Sequence, residues 1–140
     1  MSAPSNQVTQ EEYEALAALR YTLRHFLRFS EEAAVQAGLT PQQHQALLAI
    51  KGFPEGQRIT IGQIAERLQL RHHSAVGLAN RLMARKLVAR KRDTHDRRLV
   101  HLVLTAKGEG ILEKLSAAHK EQLRRVGPQI NLLLQRLRQE

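Results

Sequence analysis

The sequence predicts a mostly helical chain with one β-hairpin past its middle. Three observations lead there. Leu, Ala, Gln and Arg are abundant while aromatic residues make up only 4%, a mixture that favours helix. Apolar residues recur at three- and four-residue steps through most of the chain, the mark of one-sided helices. A single stretch, 99–104, instead alternates, and it follows the turn-forming run Asp93-Thr94-His95-Asp96, as the returning arm of a hairpin would. The expected order is α-α-(β)-α-α-β-β-α-α.

Residues 1–8 (MSAPSNQV) are expected to be disordered. Thr9 and Glu12 have capping-box spacing, in which hydroxyl and carboxylate each take one orphan backbone amide. A helix is expected from there to about Ala37, with Leu16, Leu19, Leu23, Phe26 and Leu27 as its apolar stripe. Gly38 is a natural left-handed stop. Thr40-Pro41-Gln42-Gln43 restarts a helix, with Thr40 as cap, Pro41 at the first helical position and Gln43 closing the box. That helix should reach Lys51, and Gly52, Pro54 and Gly56 form a loop. Arg58-Ile59-Thr60 fits a short strand. Thr60 and Gln63 repeat the box, and Ile61, Ile64, Ala65 and Leu68 form the inner side of a short helix. After the turn Gln69-Leu70-Arg71, another helix begins near His72 or His73 and reaches about Lys86, with Val76, Ala79, Leu82 and Met83 inward. Two short helices across such a turn make a helix-turn-helix.

Leu87 to Arg92 extends, and Leu99 to Leu104 returns. Val100, Leu102 and Leu104 share one face, and His101 and Val103 share the other. This hairpin is a wing. Thr105 caps a helix to about Val126, Gly127-Pro128 is expected to break it, and Ile130, Leu133, Leu134 and Leu137 continue a last short helix. Residues 9–140 read as one domain. Within it, 54–104 is the winged helix-turn-helix lobe, and 9–40 with 105–140 form a helical lobe whose apolar stripes exceed what one small winged helix covers. A two-fold homodimer would bury them.

Composition narrows the function. The 140 residues are 42% apolar, enough for a core, and contain no cysteine, which removes thiol chemistry and Cys-ligated zinc. No apolar run approaches the ~20 residues that span a bilayer, so a soluble, cytoplasmic protein is expected. The net charge is +9, and residues 71–101 hold nine Lys/Arg against two Asp, +7 of that total. Charge gathered on one helix and one hairpin points to a polyanion, DNA first.

Enzyme signatures are missing. Gly108-Glu109-Gly110 completes no phosphate-binding fingerprint, and the pairs Glu11-Glu12 and Glu31-Glu32 read as solvated charge. No enzymatic activity and no cofactor are expected. Seven histidines raise the question of metal. His72 and His73 are neighbours and diverge by about 100° on a helix. His25 and His44 could converge with a carboxylate, but polar lining or solvent suits them better, and no metal is expected. His101 fits a structural role or a phosphate contact.

The candidate interface has two parts. At the start of the second helix of the pair lie Arg71, His72, His73, Ser74, Gly77, Leu78 and Arg81. Arg71 or Arg81 could pair bidentately with a guanine, and Ser74 could meet a phosphate near the helix N-terminus. Gly77 gives up about 1 kcal/mol of helix propensity, which makes sense where something must come close. On the wing lie Arg90, Lys91, Arg92, Arg97 and Arg98, with Asp96 placed to aim Arg98. Two other classes compete: a nonspecific architectural DNA- or RNA-binding protein, and a small-molecule binding protein or enzyme using the helical cleft. The ordered helix-turn-helix with an acid-Arg-Arg wing argues against both.

Over roughly residues 10–140 these features resemble the MarR family of winged helix-turn-helix bacterial transcription regulators. The resemblance rests on Ile64-Ala65-Glu66-Arg67-Leu68, Asn80-Arg81-Leu82, Leu87-Val88, and Asp96-Arg97-Arg98 through Leu104-Thr105. It implies a homodimeric, nucleoid-associated regulator, most often a repressor of a pseudo-palindromic operator, with Arg98 in the minor groove. It also implies a small-molecule pocket, for which Arg20, Tyr21, Arg24, His25, His44 and Leu47 are the candidate lining and an anionic aromatic effector the matching chemistry. Two positions depart from the family. Arg71 stands where relatives have a Ser or Thr cap, so His72, His73 or Ser74 must satisfy the helix start. Lys86 stands where relatives often have Gly, and a positive φ would strain it.

Overall fold

The computed structural model describes residues 7–96 and 98–138. The elements run α1 (Gln10–Gln36), α2 (Pro41–Lys51), β1 (Ile59–Thr60), α3 (Ile61–Leu68), α4 (His72–Ala84), β2 (Val88–Arg92), β3 (Val100–Leu104) and α5 (Ala106–Arg138). They fall into two compact units, Glu31–Ala117 and the two chain ends up to Ser30 and from Ala118.

Local hydrogen bonding explains where the helices start. Thr9 Oγ1 accepts from Glu12 N at 3.1 Å, and Glu12 Oε1 accepts from Thr9 N at 3.0 Å. Thr40 with Gln43, and Thr60 with Gln63, close the same reciprocal box before α2 and α3. Gly38 turns α1 into α2 at φ +83°. Gln69 ends α3 in the left-handed region at φ 55°.

The Glu31–Ala117 unit holds the main core. Leu47, Ile59, Leu78, Leu82, Leu87 and Leu102 are its largest fully buried side chains. Its sheet has the order β1-β3-β2, antiparallel throughout. β3 is central, pairing Leu102 with Ile59 on one side and with Arg90 on the other.

The start of α5 locks onto the entry to the wing. Leu87 O accepts from Thr105 N at 3.0 Å, and Lys86 O accepts from Thr105 Oγ1 at 2.7 Å. Gly108 sits so close that a Cβ there would overlap the Leu87 carbonyl oxygen and stand 3.1 Å from its carbon. This explains Gly108 as a close approach of two backbones.

In the other unit, His119 Nε2 meets Ser30 Oγ at 2.7 Å, and Phe26 and Phe29 present edge-on contacts to the His119 ring. Many large apolar side chains here stay exposed, among them Leu16, Leu23, Leu27, Leu123, Leu132 and Leu134.

The structure corrects three sequence expectations. α5 does not break at Gly127-Pro128 but is one helix of 33 residues with Pro128 inside. The proline removes one backbone donor, at about 3 kcal/mol in a helix interior. Arg124 and Pro128 are both exposed, so water can hydrate the Arg124 carbonyl left behind, and Leu133, 4% exposed, anchors the helix beyond. Secondly, α4 ends at Ala84, short of Lys86, which takes φ 60°. Lastly, no side chain caps the start of α4. Arg71 is the N-cap in extended conformation and makes no side-chain cap bond.

Candidate nucleic-acid interface

α4 is half core and half surface. Ala75, Leu78, Ala79 and Leu82 are buried, spaced at three- and four-residue steps, and pin the helix to its unit. Leu78, expected at the reading end, is 2% exposed and belongs to the core. The N-cap Arg71 and the first turn, His72, His73 and Ser74, are exposed all round, and Arg81 is exposed further along the helix, with Gly77 half-buried.

Gly77 and Arg81 are coupled. A Cβ added at Gly77 would lie 3.3 Å from Arg81 Nη1 and 3.9 Å from Cζ. The bare backbone at Gly77 is thus where the Arg81 guanidinium rests, one turn back along α4. The close approach foreseen for Gly77 is supplied from within the chain.

The wing carries exposed Arg90, Lys91 and Arg92 on β2. Asp96 Oδ1 accepts from Arg98 N at 3.0 Å and from Arg98 Nε at 3.2 Å. The Arg98 side chain is 92% exposed and Asp96 38%. An ion pair this open contributes under ~1 kcal/mol, so its effect is to orient the guanidinium. Arg97 lies outside the described residues.

Sequence reasoning missed two supports. At the far end of α4, Arg85 Nη1 donates to Gln43 Oε1 at 3.0 Å, the same oxygen that accepts from Thr40 N at 3.0 Å in the α2 cap. Forty-two residues separate this pair, and no local pattern announces it. At the wing tip, Asp93 Oδ1 accepts from His95 N at 2.7 Å and Asp96 N at 3.2 Å, while Asp93 Oδ2 meets His101 Nε2 at 2.9 Å. Counting the hairpin register would have brought Asp93 near His101, since Arg92 pairs with Val100.

Those bonds hold the Asp93 carboxyl at about 2, below its ordinary 3.8, the His101 bond first and the His95 and Asp96 amides next. A lowered folded-state value means the tip gains stability from this carboxylate above about pH 3.8 and loses it only as pH falls towards 2. A carbon-detected titration of the Asp93 carboxyl should have its midpoint near 2. An ordinary midpoint would show that the tip turn is not formed in solution.

Among the described residues no group of three His, Cys, Asp or Glu is placed to hold a metal ion. No helix among them is long and apolar enough to cross a membrane. The candidate effector residues divide by exposure. Arg20, Tyr21, Arg24 and His25 are exposed on α1, with the Tyr21 and His25 rings 4.5 Å apart. His44 and Leu47, at 2% and 0% exposed, are core residues of α2.

A family model described as the MarR family matches residues 37–99, from the α1–α2 turn through α4 to the wing tip. A MarR family protein from Bacillus stearothermophilus superposes with a TM-score of 0.73 at 27% identity, covering 86% of this chain and 82% of that one. Residues 37–99 of this chain match the MarR family, and its fold is the one MarR proteins share. The HTH-type transcriptional repressor MdtR of Bacillus subtilis is 32% identical over 89 residues, 64% of this chain. The chain spans 56% of the length of that relative. An S. aureus MepR variant bound to an oligodeoxyribonucleotide shares the fold, with a TM-score of 0.67 at 22% identity and coverage of 88% and 85%.

Both departures from the MarR pattern now have a physical form. Arg71 leaves the start of α4 without a side-chain cap, and none of His72, His73 or Ser74 takes over. Lys86 adopts the left-handed backbone that Gly would hold without strain, and its carbonyl is tied to Thr105.

Proposed function

We propose that this protein is a sequence-specific, DNA-binding transcription regulator of the MarR family, acting as a homodimeric repressor of a pseudo-palindromic operator in the bacterial cytoplasm. One observation carries the reading: a single compact unit turns Arg71 and Arg81 of α4 and Arg90, Lys91, Arg92 and Arg98 of the wing outward. α4 is the length of a recognition helix, which reads base edges in the major groove with its first turns. A wing arginine suits a narrow A·T-rich minor groove. The DNA-bound MepR variant supports the same use of the fold.

The exposed leucines of α1 and α5 support the dimer, which would space two half-sites by about 34–36 Å, one helical turn of DNA. Arg20, Tyr21, Arg24 and His25 suit an anionic aromatic effector. Such a ligand must prefer the state that misfits DNA. A 100-fold release needs about 2.8 kcal/mol of coupling.

The test begins with fragments of the source genome that the protein retains. Arg81→Ala should weaken binding to the enriched operator by about 1–3 kcal/mol and relax preference at one base position. A uniform loss on operator and random DNA would instead favour a nonspecific architectural protein. Gly77→Ala is the companion. It should melt later, since Ala gains about 1 kcal/mol over Gly in a helix, yet discriminate less, because its methyl displaces the Arg81 guanidinium.

A further inference from the structure

We propose that His101 is a positioning residue for the wing: from within the sheet it holds Asp93, Asp93 builds the tip turn, and that turn delivers Asp96 to Arg98. The proposal rests on the DNA-binding reading, because it assigns the order of the tip to that function.

His101 is out of character for its place. It lies on the central strand β3, paired with Lys91 of β2 and Thr60 of β1, and is 9% exposed. An aliphatic residue there would need no hydrogen bond. The imidazole does, and its buried Nδ1 has no partner among the described residues. Its polar connection runs through Nε2, 2.9 Å from Asp93 Oδ2. The Asp93 carboxylate can only accept, so Nε2–H donates.

From Asp93 the order passes outward. Its other oxygen gathers the amides of His95 and Asp96 into an Asx turn. Asp93 N donates to Leu99 O at 3.1 Å and Leu99 N donates to Asp96 O at 3.0 Å, which closes the hairpin end. Asp96 then takes the Arg98 amide and guanidinium. Two carboxylates act in series, the inner one fixed by a buried donor and the outer one aiming an arginine that is otherwise free in solvent. A long exposed side chain loses rotamer freedom when it binds, and a tip ordered in advance lowers that loss. His101 touches no DNA in this scheme.

The experiment compares His101→Leu, His101→Gln and Arg98→Ala with the wild type in two assays. On operator DNA, His101→Leu should bind about tenfold more weakly with the slope of log affinity against log salt unchanged. Arg98→Ala should flatten that slope by about 0.9, as the loss of one phosphate contact does. His101→Gln, which keeps a donor at similar reach, should recover most of the affinity. Without DNA, trypsin should cut after Arg92 and Arg98 several times faster in His101→Leu than in the wild type or His101→Gln. Should His101→Leu fail to fold, Asp93→Ser keeps a turn-forming oxygen, gives up the bond to His101, and should behave as described for the leucine variant.

Unchanged affinity and unchanged cleavage in His101→Leu would overturn the proposal. So would a flattened salt slope, which would make His101 a phosphate contact. A wild type that binds no operator would sink the regulator reading instead, and the cleavage comparison would still decide whether His101 orders the tip.

Discussion

Raising the salt from about 50 to about 200 mM is expected to weaken operator binding by about 10³- to 10⁵-fold. Each neutralised phosphate contributes about −0.9 to the log–log slope, and about 6–10 contacts give a loss of that size. Among the described residues, one chain turns six cations of the α4 region and the wing outward: Arg71, Arg81, Arg90, Lys91, Arg92 and Arg98. A homodimer doubles the set, so the range is met even when some of them read bases. Partner carboxylates barely compete, since Asp96 holds Arg98 through an open pair and Asp93 is engaged with the tip. Fluorescence anisotropy of a labelled operator across a salt series measures the slope directly. A loss under about tenfold would mean that the cationic face of α4 and the wing is not where the duplex lies.

Gly108→Ala is expected to cost roughly 3 kcal/mol of stability, at or above the top of the ~1–3 kcal/mol typical of an overpacked site. The added methyl meets the Leu87 backbone, not a side chain that can swing away. The same Leu87 carbonyl accepts from Thr105 N, so moving it breaks the junction that sets α5 against the start of β2. The roughly 1 kcal/mol that Ala gains in helix propensity offsets only part of this. Gly110→Ala is the control, because a Cβ there meets nothing within 4 Å, and it should be neutral or slightly stabilising. Urea unfolding of both variants decides the matter. A Gly108→Ala chain within about 1 kcal/mol of wild type would show that the two backbones do not approach this closely.

How much of this was legible in the sequence depended on how local each cause is. Three capping boxes, at Thr9, Thr40 and Thr60, were readable because donor and acceptor lie three residues apart. The hairpin was readable from alternation and turn chemistry, and with it the pairing of Asp96 with Arg98. Pro128 misled because a proline stops a helix only where its missing bond and ring cannot be accommodated, and an exposed position late in a long helix accommodates both. Leu78 misled because the inner face is counted from Val76, Ala79, Leu82 and Met83 in the sequence, whereas the buried set is Ala75, Leu78, Ala79 and Leu82, a stripe turned by one residue. Arg85 with Gln43, and Gly108 with Leu87, were beyond reach, since each joins elements distant in sequence. His101 was half legible: its strand was identified, but its partner lies across a turn.

Lys86 bends its own backbone against preference, by about 1–2 kcal/mol for a side chain in the left-handed region. Glycine would relieve the penalty and subtract one unit of positive potential from the doorway of the wing. The residue is therefore a dial between durability and electrostatic reach, and in this chain it is turned towards reach.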